Sequence, residues 1–416
     1  MINGSGEEQA RVTADAVARR SYGKLVAFLA ARTRDVAAAE DALSEAFASA
    51  LDDWPKNGCP ANPEGWLMTV ARRKIIDSFR GQQRDEGAAE ELKVLAQGFE
   101  AADGREIPDQ RLGLLFACAH PAIEVGIRAP LMLQTVLGLD AGMIGSAFLV
   151  APTTMGQRLV RAKAKIKQSG IPFRIPEKEE LPERLETVLD AIYAAFAEGW
   201  SDAPGTDPVR RDLAEEAIFL GRLAVHLLPE EPEALGLLAL MLHAEARRFA
   251  RRDKQGGYVP LAEQDTRLWD ASMTREAEEL LFRASGFGMI GRYQLEAALQ
   301  SAHVTRQQTG RNNWTEVVQL YDALLTLSGS PVVAINRALA IAEVNGPTAG
   351  LTALNQVAED GRLGEYQPYW AARAELLARA GVREEARRAY ERAIGLERDS
   401  SVRRFLQERQ AKLGAD

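Results

Sequence analysis

Apolar residues recur three and four positions apart along nearly the whole chain, and alternating apolar–polar runs are rare, so the pattern predicts an all-α protein. After a polar leader, Val12 to Arg32 reads as one amphipathic helix. Asp35 stands where an N-cap would open a second helix, running to Trp54 and stopped by Pro55. Its apolar stripe is Val36, Ala39, Leu43, Phe47 and Ala50, and Asp41, Ser44, Glu45 and Asp52 mark the opposite face. By itself an acidic stripe of this kind is a solvated face. The turn-forming loop 55–63 leads into helix 64–80, where Leu67, Val70, Ala71 and Ile75 face inward. Trp66, Thr69, Arg73, Asp77 and Arg80 share its polar stripe, although Trp66 fits the core as well as the stripe. Aromatic and basic side chains on one face suit single-stranded or melting nucleic acid, because rings stack on bases and cations meet phosphate. Residues 81–109 have the composition of a linker, with a short helix expected around 90–96, and helices follow over 110–119, 124–136, 140–149 and 152–168.

The last of these, beginning PTTMGQRLVRAKAKIK, is the most informative. Pro152 takes the first helical position, where a missing N–H costs nothing. Met155, Leu159, Ala162 and Ile166 form an apolar face, while Arg158, Arg161 and Lys165, joined by Lys163 and Lys167, make another face basic. Thr153, Thr154 and Gln157 crowd the first turn, and no acidic residue occurs between Asp140 and Glu177. Alone, such a helix reads either as a major-groove reader or as a lysine-rich surface helix. The short break before Pro152 matches a helix-turn-helix, which puts 152–168 in the recognition position. Gly142 and Gly145 interrupt the preceding helix at about 1 kcal/mol each relative to alanine. They are expected to weaken the docking of the following helix or to shift its start.

Beyond the extended connector IPFRIP (171–176) the chain stays helical and becomes acidic. Trp370, Leu377, Gly381, Ala386, Tyr390 and Ala393 have the spacing of a tetratricopeptide repeat, and weaker echoes begin at Trp314 and span 332–357. The resulting organisation is a first helical domain over 8–86, a linker over 87–107, and a helix-turn-helix domain over 108–170. A proline-rich connector over 171–181 then leads to a TPR-like repeat domain over 182–416.

Composition narrows the function. A chain of 416 residues needs two or three cores. No uncharged apolar run is long enough to span a membrane, and the polar N-terminus lacks the apolar core of a signal peptide. Two cysteines, Cys59 and Cys118, build no disulfide framework and point to a reducing cytoplasm. The net charge of −8 is unevenly spread: residues 1–175 sum to +1 and residues 176–416 to −9. Acidity of the whole chain is therefore compatible with nucleic-acid binding through one basic element. Four isolated histidines (His120, His226, His243, His303) offer no metal spacing, and no phosphate-binding or nucleophile motif is present. The glycine-rich GFGMIG (286–291) lies among helices rather than after a strand, which argues against a phosphate cradle. The reading is not an enzyme, with no cofactor and no metal.

The joint order of DVAAAEDALSEAFASALDDW, PEGWLMTVARRKIIDSFR, DQRLGLLFACAHPAI and AFLVAPTTMGQRLVRAKAKIKQSGIPFRIP resembles the two-domain sigma factors of the extracytoplasmic-function group. YVPLAEQDTRLWD (258–270) and GRYQLEAALQ (291–300) are similar to the subgroup carrying a C-terminal tetratricopeptide-like domain. The resemblance implies a promoter-specificity subunit of RNA polymerase. It makes Asp41, Glu45 and Asp52 contacts for the clamp helices of the polymerase β′ subunit. Asn62, Trp66, Thr69, Arg73 and Arg80 would meet the −10 element. Thr153, Thr154, Gln157, Arg158, Arg161 and Lys165 would meet the −35 element, the first three at bases and the cations at phosphates. Regulation in cis by the C-terminal domain, which would bind a protein or peptide, is the further implication. The other reading left open is a one-component helix-turn-helix regulator with a peptide-sensing repeat domain, which has no need of the stripes on helices 35–54 and 64–80.

Overall fold

The computed structural model describes residues 3–82, 107–148, 150–177, 179–200, 208–358 and 361–413. They form an all-α protein, and the described residues contain no strand, only an isolated bridge between Arg252 and Tyr258. The linker and the short helix expected at 90–96 lie outside the described residues. The chain divides into two compact units: residues up to Gly199 with Pro208–Ala217, and Trp200 with the residues from Ile218 onward.

In the first unit α1 (Asn3–Thr33), α2 (Val36–Asn57) and α3 (Pro63–Gln82) pack on one another. α1 starts well before the expected Val12, because Ala10, Ala14 and Val17 continue its buried stripe while Val12 is exposed. Asp35 caps α2 as its position predicts, its Oδ1 accepting the Ala38 amide at 3.1 Å. Pro55 does not stop α2. The helix runs through it to Asn57, because the bond that proline forfeits belongs to the carbonyl of Leu51, a solvent-exposed residue. Gly58 then ends the helix by donating to the Trp54 carbonyl at 2.9 Å.

α4 (Arg111–Cys118), α5 (Val125–Leu137), α6 (Ala141–Ala147) and α7 (Pro152–Gln168) make the second half of this unit. The predicted face of α7 is buried at Met155, Leu159, Ala162 and Ile166. α6 and α7 pack closely, and the two glycines of α6 have different reasons. A Cβ on Gly145 would sit 2.7 Å from the Val150 carbonyl oxygen and 3.3 Å from Pro152 Cα. The turn therefore needs a glycine there to bring α7 close. A Cβ on Gly142 would meet only the Asp140 carboxylate, which caps α6 by accepting the Gly142 and Met143 amides at 2.7 and 3.0 Å. The expectation that these glycines weaken the element is corrected for Gly145, whose absent side chain permits the packing. The connector follows α4: Ile171 is buried, and the Phe173 carbonyl lies against Gly113. α8 (Leu181–Trp200) joins the same unit, Arg184 Nη2 donating to the Phe116 carbonyl at 2.7 Å.

α9 (Pro208–Leu227) has its first ten residues in the first unit and the rest in the second. In the second unit, α10 (Pro232–Glu245) is buried on all sides from Ala234 to Glu245, as a central helix must be. α11 (Ala271–Ser285) and α12 (Arg292–Thr309) both pack on it. α13 (Trp314–Ser328), α14 (Pro331–Asn345), α15 (Pro347–Asn355), α16 (Gln367–Arg379), α17 (Arg383–Leu396) and α18 (Ser400–Lys412) then stack in succession, each against the next. The repeat-like spacing read around Trp370–Ala393 is the α16–α17 hairpin. Leu377, Ala386, Tyr390 and Ala393 form its core, and Gly381 turns it at φ 78°.

Two measurements test this packing. Gly145→Ala gains about 1 kcal/mol of helix propensity but inserts a methyl into backbone, at a cost of about 1–3 kcal/mol. Denaturant unfolding of the first unit should show a net loss for Gly145→Ala, whereas Gly142→Ala should be neutral or stabilising. A gain from both would refute the close approach. In the second unit burial and the nearby Arg247 lower the His243 pKa to about 4. Its folded value lies below its unfolded one, so the unfolded chain binds the extra proton and stability falls as pH drops from 6.5 towards 4. Burial lowers the His303 pKa to about 4 in the same unit, so melts across that range should show the loss and His243→Gln should reduce it without removing it.

Candidate functional site

The acidic face of α2 is exposed at Asp41, Glu45 and Asp52. Glu45 meets Lys74 of α3 at 2.9 Å, and Asp52 meets Lys56 at 2.6 Å within its own helix. Exposed pairs of this kind are worth well under about 1 kcal/mol, so both carboxylates remain available to an incoming cation. The face is held up by Val36, Ala39, Leu43, Ala46 and Ala50, all buried beneath it.

On α3, Asn62 serves first as the helix cap, its Oδ1 accepting the Gly65 amide at 3.0 Å, which leaves its side-chain NH2 group. Thr69 and Arg73 are exposed, and the side chain of Arg80 lies outside the described residues. Trp66 belongs to both alternatives left open by its position. It is half-buried, resting edge-on against the fully buried Trp54 with ring centroids 5.5 Å apart, and so leaves part of its ring accessible. Glu64 ties the first turn of α3 to α1, accepting from Ser21 Oγ at 2.5 Å and meeting Arg20 at 3.3 Å.

On α7, Thr153, Thr154, Gln157, Arg161 and Lys165 are exposed together. Arg158 is drawn aside to Glu124 at 3.2 Å. The basic residues thus split into two groups: Arg161 and Lys165 face solvent, while Lys163 and Lys167 turn towards α2. Lys163 Nζ lies 2.6 Å from Glu40 Oε2, each side chain 11% exposed, and Lys167 reaches Asp35 at 2.6 Å. Sequence reasoning missed this seam. The signal was available, since Glu40 and Lys163 each stand at the edge of an apolar stripe, three residues before Leu43 and Ile166 respectively. Burial raises the Glu40 pKa even though Lys163 opposes the shift, and Glu40 Oε1 has no hydrogen-bond partner.

The remaining candidates for chemistry are accounted for. Cys118 is fully buried 3.4 Å from Thr135 Oγ1, and burial pushes its thiol up to about 12, so it is an inert core residue. No group of three metal-binding side chains occurs among the described residues. After the GFGMIG segment, the opening amides of α12 are already satisfied: Glu233 accepts from Tyr293 and Gln294 at 2.9 and 3.1 Å. An anion would have to displace that carboxylate. Among the described residues no helix is long and apolar enough to cross a membrane.

Comparison with known proteins bears on this arrangement of stripes. Residues 17–85 match the family described as Sigma-70 region 2, and residues 184–285 match a family of unknown function, DUF6596. An uncharacterized protein of Rhizobium meliloti (strain 1021) is 38% identical over 389 residues, covering 92% of each chain. The chain belongs to the extracytoplasmic-function sigma factors. It is of the kind that carries a DUF6596 domain after its sigma helices. No solved structure matches it. Region 2 gives this sigma factor a role in transcription initiation, with RNA polymerase core and promoter DNA as partners. Sigma-70 proteins are transcription factors rather than enzymes. The region 2 match covers the second half of α1 and all of α2 and α3, and so includes both the acidic stripe and the Trp66 stripe.

Proposed function

We propose that this sigma factor docks on core polymerase through Asp41, Glu45 and Asp52 and reads a two-part promoter through α3 and α7. The observation that carries the reading is the joint exposure of these faces on one compact unit, each backed by its own buried stripe. The acidic face of α2 suits a basic surface on the polymerase, and the clamp helices of β′ are the proposed receptor. Asn62, Trp66, Thr69, Arg73 and Arg80 are the proposed −10 contacts. The accessible part of the Trp66 ring offers a stacking surface for an unpaired base, and Arg73 offers a cation for its phosphate. On α7, Thr153, Thr154 and Gln157 are the proposed contacts for base edges at the −35 element. Arg161 and Lys165 serve phosphates, joined by Arg158 once it releases Glu124.

The DUF6596 domain is proposed to act in cis on the sigma helices, with its helical stack as the docking surface for a protein or peptide. Support comes from α8: its sequence falls within the DUF6596 match from residue 184, yet it packs in the unit that holds the sigma helices. The Arg184 hydrogen bond to the Phe116 carbonyl links it directly to α4. A signal that moves α8 therefore has a physical route to the helix-turn-helix half.

Run-off transcription with purified core polymerase tests the docking. Product should form with the full chain and fall by at least about tenfold, or about 1.4 kcal/mol, for Asp41→Arg with Glu45→Arg. Undiminished product would rule out that face, and a lack of product on every promoter would rule out the sigma reading. The salt dependence of promoter binding tests α7. Replacing Arg161 or Lys165 by alanine should each lower the slope of log K against log [salt] by about 0.9, whereas Thr153→Ala should leave the slope unchanged.

A further inference from the structure

Two arginines on the turn that follows α10, Arg247 and Arg248, are buried, each less than a tenth exposed. A buried guanidinium is ordinarily met by a carboxylate. Arg248 obeys that rule, its Nε lying 2.5 Å from Glu245 Oε1 and its Nη2 2.8 Å from Oε2. Arg247 does not. Its Nε donates to the His243 carbonyl at 3.1 Å and its Nη2 to Gln300 Oε1 at 2.6 Å, both neutral acceptors. Its Nη1 has no partner among the described residues and is not sealed from solvent.

The surroundings of Arg247 do not supply the missing counter-charge. Among the described residues, the titratable groups that act on it are Arg251 and Tyr258, and the His303 imidazole feels it in turn. No carboxylate is among them. Burial and Arg251 lower the Arg247 pKa to about 10, which leaves it protonated at neutral pH. Glu278 on the neighbouring α11 turns to His243 and Ser301 instead, at 3.4 and 2.9 Å. The carboxyl end of α10 offers about half a negative charge, and Arg251 opposes it. Arg251 is itself fixed by Trp200, with its guanidinium carbon 3.7 Å from the ring centroid and Nη1 2.9 Å from the carbonyl. Arg251, Tyr258, Gln300 and His303 are all partly exposed, so the group is approachable from solvent.

We propose that Arg247 anchors a carboxylate-binding site, through which the helical stack holds its peptide by one acidic side chain or by the peptide's C-terminus. The inference rests on the reading of the stack as a docking surface and names what that surface recognises. A guanidinium fixed on two sides presents its remaining N–H groups in a set direction, so little freedom is lost on binding. A carboxylate is planar and singly charged, which suits one free terminal nitrogen with a second arginine beside it. Phosphate and nucleic acid fit less well, because residues 176–416 sum to −9 and repel multiply charged anions. The site lies wholly in the second unit and shares no residue with the polymerase and promoter contacts proposed above.

The test uses the full chain with isotope-labelled arginine, so that each Nε–H signal is followed in solution, and Arg247→Lys identifies that of Arg247. Sodium acetate is the minimal probe, with sodium chloride at equal ionic strength as control. Acetate should move the Arg247 signal to saturation, and chloride should not. Gln300→Glu supplies the missing counter-charge from within the chain. It should raise the melting temperature and weaken acetate binding by at least about tenfold. A short alternating Leu–Glu peptide with a free C-terminus should bind at least about tenfold more tightly than acetate. Its amidated form keeps only the side-chain carboxylates, and a Leu–Gln peptide with a free end keeps only the terminal one, so the tighter of the two names the source. The site is overturned by an acetate response that does not saturate, by unchanged acetate affinity in Gln300→Glu, or by phosphate binding more tightly than acetate. Acetate binding with no gain from either carboxylate-bearing peptide would overturn the peptide assignment. A peptide held equally well by Arg247→Lys would leave the docking reading standing and remove Arg247 from it.

Discussion

Everything in the first unit depends on how closely α1 and α5 approach. With Gly23 against the Val136 carbonyl there is no room for even a methyl group between the two backbones. That contact brings the α1–α3 half and the α4–α7 half together and sets α7 beside α2. It thereby decides which of the basic residues of α7 look outward and which are enclosed. A wider approach would leave Lys163 in water and Glu40 merely an acid on a helix edge.

The electrostatics follow from that geometry. Of the cations on α7, the seam engages Lys163 and Lys167, and Glu124 engages Arg158. Arg161 and Lys165 share solvent with the threonines and the glutamine of the first turn, and Lys167 stays exposed while it reaches Asp35. One helix thus has two faces of different character, a solvent-facing polar and basic one and one attached to α2. The nearly neutral N-terminal half is made of opposed patches, an acidic face on α2 and a basic one on α7, held apart by apolar stripes. The linkage of α8 to the same unit extends this scheme, since a helix that belongs by sequence to the C-terminal domain contributes to the packing of the sigma half.

Much of this was legible from spacing alone. The buried face of α7, the Asp35 cap, the inward positions of α3 and the all-α fold follow from periodicity and capping, which act within a few residues of chain. The same local rules misjudged three places. By those rules Pro55 is a stop, yet its lost hydrogen bond falls on an exposed residue and the helix runs through it. By those rules Gly145 is a weakness, yet the close packing of α7 leaves no room for a side chain there. Spacing puts the start of α1 late, because the exposed Val12 resembles the opening of a stripe whose buried positions already include Ala10.

By itself the sequence determined the elements, the faces they bury and the family to which the chain belongs, because those depend on periodicity, capping and residue order. It could not decide which charged residues become partners across 123 positions of chain, as Lys163 and Glu40 do. Nor could it assign α8 to the sigma half rather than to the domain its sequence opens. These depend on backbone approach and on the loss of water between surfaces that meet only after folding. Tertiary structure alone therefore turned an even basic helix into one with an exposed face and a face tied to α2.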